Sequence, residues 1–289
     1  MPTLRIQLLG VPAVTLDGRH LPAARSGRCL ELLAMLVLRN GLVDRREVAA
    51  LFWPDATVSQ GRTCLRRVLA DLRRGLEGEG VRLHCPTARV IAFDSSDVEI
   101  DLAEFDREIG SAEREPLRRA TGVYAGELLA GHDARWIAKE RELRARRLLD
   151  GLERLVRCEL GDGDLPTAIE HLERLVSLDP LRESAVLALM QAQGADGRVA
   201  DAQRSYRRYR VALACAVGLT PSEGATEAYE VVRSALKSGA GLRADADPSL
   251  APTPTPDFTP TPEPLPGLFR PPLPHLEGTW TRALTSADR

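Results

Sequence analysis

The chain has 289 residues, of which 44% are apolar and 28% are charged, and this length suffices for two ordinary domains. Aromatic residues make up only 4%, so the cores must be built from Leu, Val and Ala, which favours helices over a β-sandwich. Residues 1–90 hold 14 Arg against 8 acidic residues, whereas residues 91–240 hold 21 basic against 27 acidic residues. The basic amino-terminal third is therefore typical of an anion-binding module, and the acidic middle indicates a module with another partner.

Several classes of protein are excluded by the residues that the chain lacks. Of its 39 basic residues only Lys139 and Lys237 are lysines, and neither follows a glycine, so there is no Walker A phosphate loop. Neither a metalloprotease HExxH motif nor a GxSxG nucleophile motif occurs. The five cysteines form no CxxC pair and the five histidines are scattered, which favours reduced thiols over a disulfide framework or a metal site.

No apolar stretch approaches the roughly 20 residues that a membrane-spanning helix needs. We therefore expect a cytoplasmic, nucleoid-associated protein that has no enzymatic activity, no cofactor and no bound metal.

The first forty residues predict short strands followed by a helix. Residues 4–8 alternate between apolar and polar types, and two extended runs flank Asp17-Gly18, which is a strong hairpin signal. From residue 25 to residue 39 the apolar spacing changes to that of one helix face.

Two further helices follow in quick succession. Asp44 is placed to cap a short second helix, which Trp53-Pro54 ends. Thr57 is placed to open a third helix, with Gln60 as its capping-box partner.

The third helix separates an apolar stripe from a basic face. Its stripe has helical spacing and consists of Leu65, Val68, Leu69, Leu72 and Leu76. At about 100° per residue, six Arg or Thr side chains point mostly away from that stripe. They are Arg62, Thr63, Arg66, Arg67, Arg73 and Arg74. A hairpin is predicted at residues 81–93, so residues 1–95 predict a winged helix-turn-helix.

The basic face of the third helix has the chemistry to read the major groove of DNA. Arg can donate two hydrogen bonds to guanine, and Thr can contact a base edge or a thymine methyl group. The alternative is an ordinary solvated face in an arginine-rich protein. The series of arginines alone does not distinguish a DNA-binding face from a solvated one. The short helix before it and the hairpin after it favour DNA binding.

Five more residues are candidates for contacts with the DNA backbone. Arg82, Thr87 and Arg89 belong to the predicted wing, whose alternative role is only to complete a small sheet. Arg45 and Arg46 begin the second helix, where backbone amide groups can also meet a phosphate.

Residues 96–238 predict an all-helical domain. Four positions recur at an offset of 34 residues, the tetratricopeptide period, in which small residues let paired helices approach and large residues fill the groove. They are Gly163, Ala168, Leu172 and Leu175, which recur as Gly197, Ala202, Tyr206 and Tyr209. Residues 239–289 are rich in proline and predict a disordered, polyproline-like tail.

Two other groups of residues in the helical part have competing interpretations. The aromatic residues are expected to fill cores, although they could line a ligand groove; they are Tyr124, Trp136, Tyr206 and Tyr209. The acidic residues at the junction are interpreted as a solvated linker with a helix cap rather than as a cation site; they are Asp94, Asp97, Glu99 and Asp101.

The order of several short motifs resembles that of the antibiotic regulatory proteins. In the first part these motifs include Leu-Phe-Trp-Pro-Asp at residues 51–55 and Leu-Arg-Arg-Val-Leu-Ala-Asp-Leu-Arg-Arg at residues 65–74. In the second part they include Tyr-Ala-Gly-Glu-Leu-Leu at residues 124–129 and Asp-Pro-Leu-Arg-Glu at residues 179–183. The resemblance covers roughly residues 4–237. Each motif alone is only weakly diagnostic of the family, whereas the order of the motifs is specific to it.

This resemblance implies a winged helix of the response-regulator output type followed by a bacterial transcriptional activation domain. It further implies an activator of secondary-metabolite genes that binds promoter direct repeats as a homodimer and recruits RNA polymerase and its sigma factor. Two other hypotheses stay open. The helical repeats could instead bind a protein or a small effector, and the same DNA-binding helix could serve a repressor.

Overall fold

The computed structural model describes residues 3–22 and 26–240, and it describes side chains in the last helix as far as residue 234. The strands are β1 (Leu4–Gln7), β2 (Ala13–Leu16), β3 (Arg19–His20), β4 (Leu42–Asp44), β5 (Leu83–His84), β6 (Val90–Phe93) and β7 (Val98–Ile100). The helices are α1 (Gly27–Leu38), α2 (Arg45–Phe52), α3 (Val58–Gly75), α4 (Asp101–Glu108), α5 (Arg114–Val123), α6 (Arg135–Gly161), α7 (Leu165–Leu178), α8 (Glu183–Ala195), α9 (Val199–Val217) and α10 (Glu223–Ala240). The chain is thus mostly helical with a small amino-terminal β part, as predicted. The predicted tail at residues 239–289 begins within the last two residues of α10, and from residue 241 onward it lies outside the described residues.

The strands form two small sheets. The first has the order β3-β2-β1-β7, and the turn between β2 and β3 is made by Asp17 and Gly18, whose φ angles are 50° and 80°. Positive φ at both positions suits a tight hairpin turn, which confirms the Asp-Gly signal. The second sheet has the order β4-β6-β5, so the wing strand β6 pairs on one side with β5 and on the other with β4, the segment that leads into α2.

The predicted hairpin at residues 81–93 begins later than expected. Residues 77–82 form a 3₁₀ helix, in which the side chain of Val81 is 83% exposed, and β5 starts only at Leu83. Gly80 permits this turn, because a Cβ there would lie 2.4 Å from the backbone oxygen of Arg73. The 3₁₀ helix therefore packs its backbone directly against the end of α3.

Both predicted caps of the helix-turn-helix are present. The Asp44 side chain accepts hydrogen bonds from the backbone amides of Arg46 (2.7 Å) and Glu47 (3.3 Å) at the start of α2. Thr57 and Gln60 form a reciprocal capping box at the start of α3. Each cap satisfies amide groups that have no partner within the helix, so the first turns of α2 and α3 are fixed.

The tetratricopeptide period is confirmed in the positions of the helices. α7 begins at Leu165 and α9 at Val199, which preserves the 34-residue offset. Ala168 and Ala202 are both fully buried where the paired helices meet. The offset is lost in the second helix of each pair, because α9 has 19 residues and α7 only 14.

The junction between the winged helix and the helical part is only in part the solvated linker that the sequence suggested, because Asp94, Asp97 and Glu99 are exposed whereas Asp101 is half-buried. Residues 98–100 form β7, which pairs in parallel with β1 in the first sheet. The carboxylate of Asp101 accepts hydrogen bonds from the backbone amides of Leu8 (2.8 Å) and Leu9 (2.9 Å). Burial raises the pKa of Asp101, and the amide hydrogen bonds oppose that rise. This acidic residue therefore anchors the two parts to each other.

One hydrophobic core runs through that junction. The buried cluster extends from Leu4 in β1 to Ala185 in α8 and includes residues of both parts. Phe52 at the end of α2 stacks on Trp136 of α6, with ring centroids 6.1 Å apart. The helix that precedes the basic helix is therefore held directly by the longest helix of the second part.

Candidate nucleic-acid interface

The orientation of α3 follows from its leucine stripe. Leu65, Leu69 and Leu72 are at most 2% exposed and pack into the main core. Burying these side chains leaves the opposite side of the helix in solvent, and Arg62, Thr63, Arg66, Arg67, Arg73 and Arg74 are all exposed there. The exposure predicted for the six basic-face residues is therefore confirmed.

These six residues form two columns along α3. At about 100° per residue, Arg62, Arg66 and Arg73 lie between roughly 60° and 100° from Leu65. Thr63, Arg67 and Arg74 form the second column, between roughly 160° and 200° from Leu65. The first column faces the wing, and the second faces away from the protein.

The first column borders a groove of about 450 Å³ between α2, α3 and the turn of the β5–β6 hairpin. Its lining residues are Arg45, Arg46, Arg62, Leu65, Arg66, Ala88 and Arg89. We call this set of residues the arginine groove. It brings together five arginines from three separate segments of the sequence, and the sequence analysis had assigned them to two different roles.

Local structure explains why the three segments meet. The backbone amide of Arg45 donates to the carbonyl oxygen of Arg89 (2.8 Å), next to the β4–β6 pairing. Within the hairpin turn, the hydroxyl of Thr87 accepts hydrogen bonds from the amides of Arg89 (3.2 Å) and Val90 (3.1 Å). Thr87 therefore orders the turn that presents Arg89.

Most guanidinium groups of the groove have no acidic partner in the described residues. The side chains of Arg46, Arg62 and Arg89 make no hydrogen bond or ion pair there. Arg66 donates only to the hydroxyl of Thr63 (3.3 Å). Residues 56–70 contain no Asp or Glu, so the positive charge along this face is not neutralised by its own helix.

Arg45 is held differently from the other groove arginines. Its Nη2 lies 3.6 Å from the sulfur of Cys85, and its Nε is buried without a hydrogen-bond partner in the described residues. This side chain is half-buried and braces the wall of the groove.

Three of the predicted contact residues have their donors occupied within the chain. Arg73 donates to the carbonyl oxygen of Leu83 (2.9 Å), and Arg74 pairs with Asp71 (3.0 Å). Arg82 donates to Glu79 (2.6 Å) and to the backbone oxygen of Ser96 (2.7 Å). The geometry thus gives Arg73 and Arg82 a structural role in fixing the wing, which charge patterning could not reveal.

Val58, an exposed valine at the start of α3, was not among the contact residues predicted from the sequence. Val58 is 70% exposed, and it is the one large apolar side chain that α3 leaves in solvent along its fully described length. A charge pattern does not identify an apolar contact residue. The position of Val58 in the first turn of the basic helix could nevertheless have been predicted from the sequence.

The aromatic residues of the helical part are core residues, as expected. Tyr124, Tyr206 and Tyr209 are at most 8% exposed, and Trp136 stacks on Phe52. The hydroxyl of Tyr209 donates to Glu183 (2.6 Å), and this contact together with burial raises the pKa of Tyr209 to about 12. None of these four aromatic side chains lines the groove on α3.

The described residues contain neither a cluster of metal ligands nor a helix that could span a membrane. No group of three His, Cys, Asp or Glu residues in residues 3–22 and 26–240 is arranged to hold a metal ion. Over the same part of the chain, every helix is too short or too polar to cross a membrane.

Both parts of the chain are similar to known proteins. Residues 100–233 match the family model of the bacterial transcriptional activator domain. The regulatory protein AfsR of Streptomyces coelicolor is 29% identical over 253 residues, which cover 83% of this chain and 25% of that protein. AfsR of Streptomyces griseus is 27% identical, with 88% of this chain and 28% of that protein covered. The chain thus spans about a quarter of the length of these relatives.

A solved structure shares the fold. Mycobacterium tuberculosis EmbR, in complex with a low-affinity phosphopeptide, superposes with a TM-score of 0.61 at 24% identity. The match covers 83% of this chain and 70% of that one, so it includes the winged helix as well as the helical part. Residues 100–233 therefore match the bacterial transcriptional activator domain, and the chain as a whole is similar to the AfsR regulatory proteins and shares the fold of EmbR.

Proposed function

We propose that this chain is a sequence-specific DNA-binding activator, in which α3 enters the major groove and reads bases, while Arg46 and Arg89 of the arginine groove hold the adjacent phosphates. The observation that carries the proposal is the convergence of five arginines from α2, α3 and the wing on one groove. Unneutralised guanidinium groups at a surface concave enough to follow a phosphate backbone are what duplex DNA requires of its partner.

The geometry supports a division of labour among the arginines. Arg62, Thr63, Arg66 and Arg67 are exposed on the first half of α3, where recognition helices contact base edges, and we assign base reading to them. Arg46 and Arg89 flank the groove and are assigned to phosphates.

The remaining candidates are assigned supporting roles. Arg45, Arg73 and Arg82 brace the wing, and Thr87 orders its turn. Arg74 is 77% exposed despite its pairing with Asp71, so it remains a candidate for a peripheral phosphate contact.

We further propose that two copies bind promoter direct repeats and that the activator domain recruits RNA polymerase and its sigma factor. The match of residues 100–233 to the bacterial transcriptional activator domain and the similarity to the regulatory protein AfsR support a role in transcription. The motif resemblance supports secondary-metabolite genes as the target. The continuous core supports the coupling of both parts, because a winged helix packed on α6 holds the activator domain at a fixed place relative to the bound DNA.

A selection of duplexes from a random library, followed by transcription in vitro from the best site, tests this proposal. We expect a repeated sequence to be enriched and transcription from it to rise when the protein is added. Failure to enrich any sequence would contradict sequence-specific binding. Enrichment together with reduced transcription would make the protein a repressor that uses the same helix.

A further inference from the structure

We propose that Val58 is a specificity-determining residue that reads the 5-methyl group of one thymine in each half-site. This inference rests on the proposed function, since it assigns an additional base contact to the same recognition helix. The ligand group is a methyl group in the major groove, which distinguishes thymine from every other unmodified base.

The first observation is the exposure of Val58 in a position where folding does not require valine. The side chain is 70% exposed, so it adds little to the core. A β-branched residue is a weaker helix former than the straight-chain residues, so local helix stability does not explain it either. Nothing in the described structure covers this side chain.

The second observation is its alignment with the arginine groove. Val58, Arg62 and Arg66 are spaced by four residues and therefore form one ridge along α3. Arg62 and Arg66 line the groove, and Val58, which is not among the lining residues, lies one helical turn nearer to the start of α3, roughly 20° from Leu65. A duplex that lies against these two arginines meets Val58 next.

The third observation is that the first turn of α3 is held by a capping box and carries no negative charge that would repel DNA. The capping box between Thr57 and Gln60 fixes the backbone and occupies the Gln60 side chain, so Gln60 has less freedom to read a base. The first turn contains no acidic residue. Valine also has one strongly preferred rotamer in a helix, so its methyl groups are held in place before binding.

Replacement of single thymines by deoxyuridine tests the contact, because deoxyuridine lacks only the 5-methyl group. On the duplex selected by the unaltered protein, we expect one thymine per half-site at which deoxyuridine weakens binding about threefold to fivefold, the effect of losing one buried methyl group. V58A is expected to weaken binding to the thymine duplex by a similar factor and to be insensitive to deoxyuridine at that position.

V81A is the matched control, because Val81 is 83% exposed in the same part of the chain but lies in the 3₁₀ helix outside α3. It should keep the full sensitivity to deoxyuridine, and thermal unfolding should show both variants folded. If no thymine position is sensitive, or if V58A keeps the same sensitivity as the unaltered protein, the assignment of Val58 is wrong while the proposed function stands. If the unaltered protein selects no duplex, both fail together.

Discussion

The arginines of the winged helix and those of the activator domain differ in what surrounds them. In the activator domain, Arg144 is buried between the carboxylates of Asp106 and Glu140, and Arg154 and Arg174 donate to backbone carbonyls at the ends of neighbouring helices. In the arginine groove, Arg46, Arg62 and Arg89 have no partner within the described residues. The same residue type therefore holds helices together in one region and leaves charge for an external anion in the other.

This difference matters because the overall composition hides it. Arginine dominates the basic residues throughout the chain, so a count of charges does not distinguish a structural arginine from a binding one. Local neutralisation does distinguish them, since a guanidinium group with an internal carboxylate partner has little net charge left to attract a phosphate. Removal of an arginine that is paired in the activator domain should accordingly reduce stability, and removal of an unpaired arginine of the groove should reduce DNA affinity.

The largest effect is expected from Arg144→Ala. The side chain of Arg144 is 4% exposed, and its loss leaves Glu140 without its cationic partner and Asp106 with only the more exposed Arg147, at 3.4 Å. We expect the free energy of unfolding to fall by about 3 kcal/mol. Urea denaturation followed by circular dichroism measures this change, and a loss below about 0.5 kcal/mol would show that the buried ion pairs do not hold α4 against α6.

The converse variant, Arg62→Ala combined with Arg66→Ala, should reduce binding to the selected duplex about 100-fold, since each guanidinium group that contacts bases contributes about 1–3 kcal/mol. Stability should stay within about 0.5 kcal/mol, because both side chains are exposed. Fluorescence anisotropy with a labelled duplex gives the affinity.

The matched control for that pair is Arg118→Ala combined with Arg146→Ala. Both residues are exposed arginines of the activator domain without a side-chain partner in the described structure. Equal losses of affinity in the two double variants would mean that total charge, rather than the arginine groove, determines binding.

Substitutions at Asp101 test the connection between the winged helix and the activator domain. Asp101→Ala removes the acceptor for the amides of Leu8 and Leu9 and should cost about 2 kcal/mol of stability. Because burial raises the pKa of Asp101, the folded chain takes up this proton at a higher pH than the unfolded chain. The stability contributed by this titration is therefore present below the ordinary aspartate pKa near 4 and is lost as the pH rises through the raised pKa.

Asp101→Asn isolates that titration, because it keeps an acceptor oxygen and removes the ionisable proton. The difference in unfolding free energy between the unaltered protein and this variant should shift in favour of the unaltered protein as the pH falls through the raised pKa. A pH-independent difference would contradict the assignment of the raised pKa to Asp101.

A smaller effect is expected from Arg46→Ala. We expect affinity to fall about fivefold on the selected duplex and on random duplexes alike, because a phosphate contact carries no sequence information. Arg82→Ala should instead act on the hairpin, since Arg82 is tied to Glu79 and Ser96. A loss confined to the selected duplex would move Arg46 from the phosphate-binding group to the base-reading group.

Much of the fold could be predicted from the sequence, because its signals are local. The Asp17-Gly18 turn, the caps at Asp44 and Thr57 and the 34-residue offset between α7 and α9 each depend on residues close together in the chain or on a simple period. The apolar stripe of α3 could likewise be predicted from the spacing of its leucines alone.

The features that escaped prediction depend on contacts between distant segments. β7 pairs with β1 across more than 90 residues, and the three-residue run that forms it has no strong periodicity. Arg82 was expected in the wing because of its charge, but its partners Glu79 and Ser96 come together only when the 3₁₀ helix packs on α3. The arginine groove similarly required α2, α3 and the hairpin turn to be placed together in space.

The salt dependence of DNA binding by a groove variant tests the central claim most directly. Arg46, Arg62, Arg66 and Arg89 would all be replaced by Ala, and the association constant for the selected duplex would be measured over a range of KCl concentrations. We predict straight log–log plots, with the slope of the variant shallower by about 2, since Arg46 and Arg89 are the two arginines assigned to phosphates and each such contact contributes about −0.9. Identical slopes and affinities for the variant and the unaltered protein would contradict the assignment of the arginine groove to DNA.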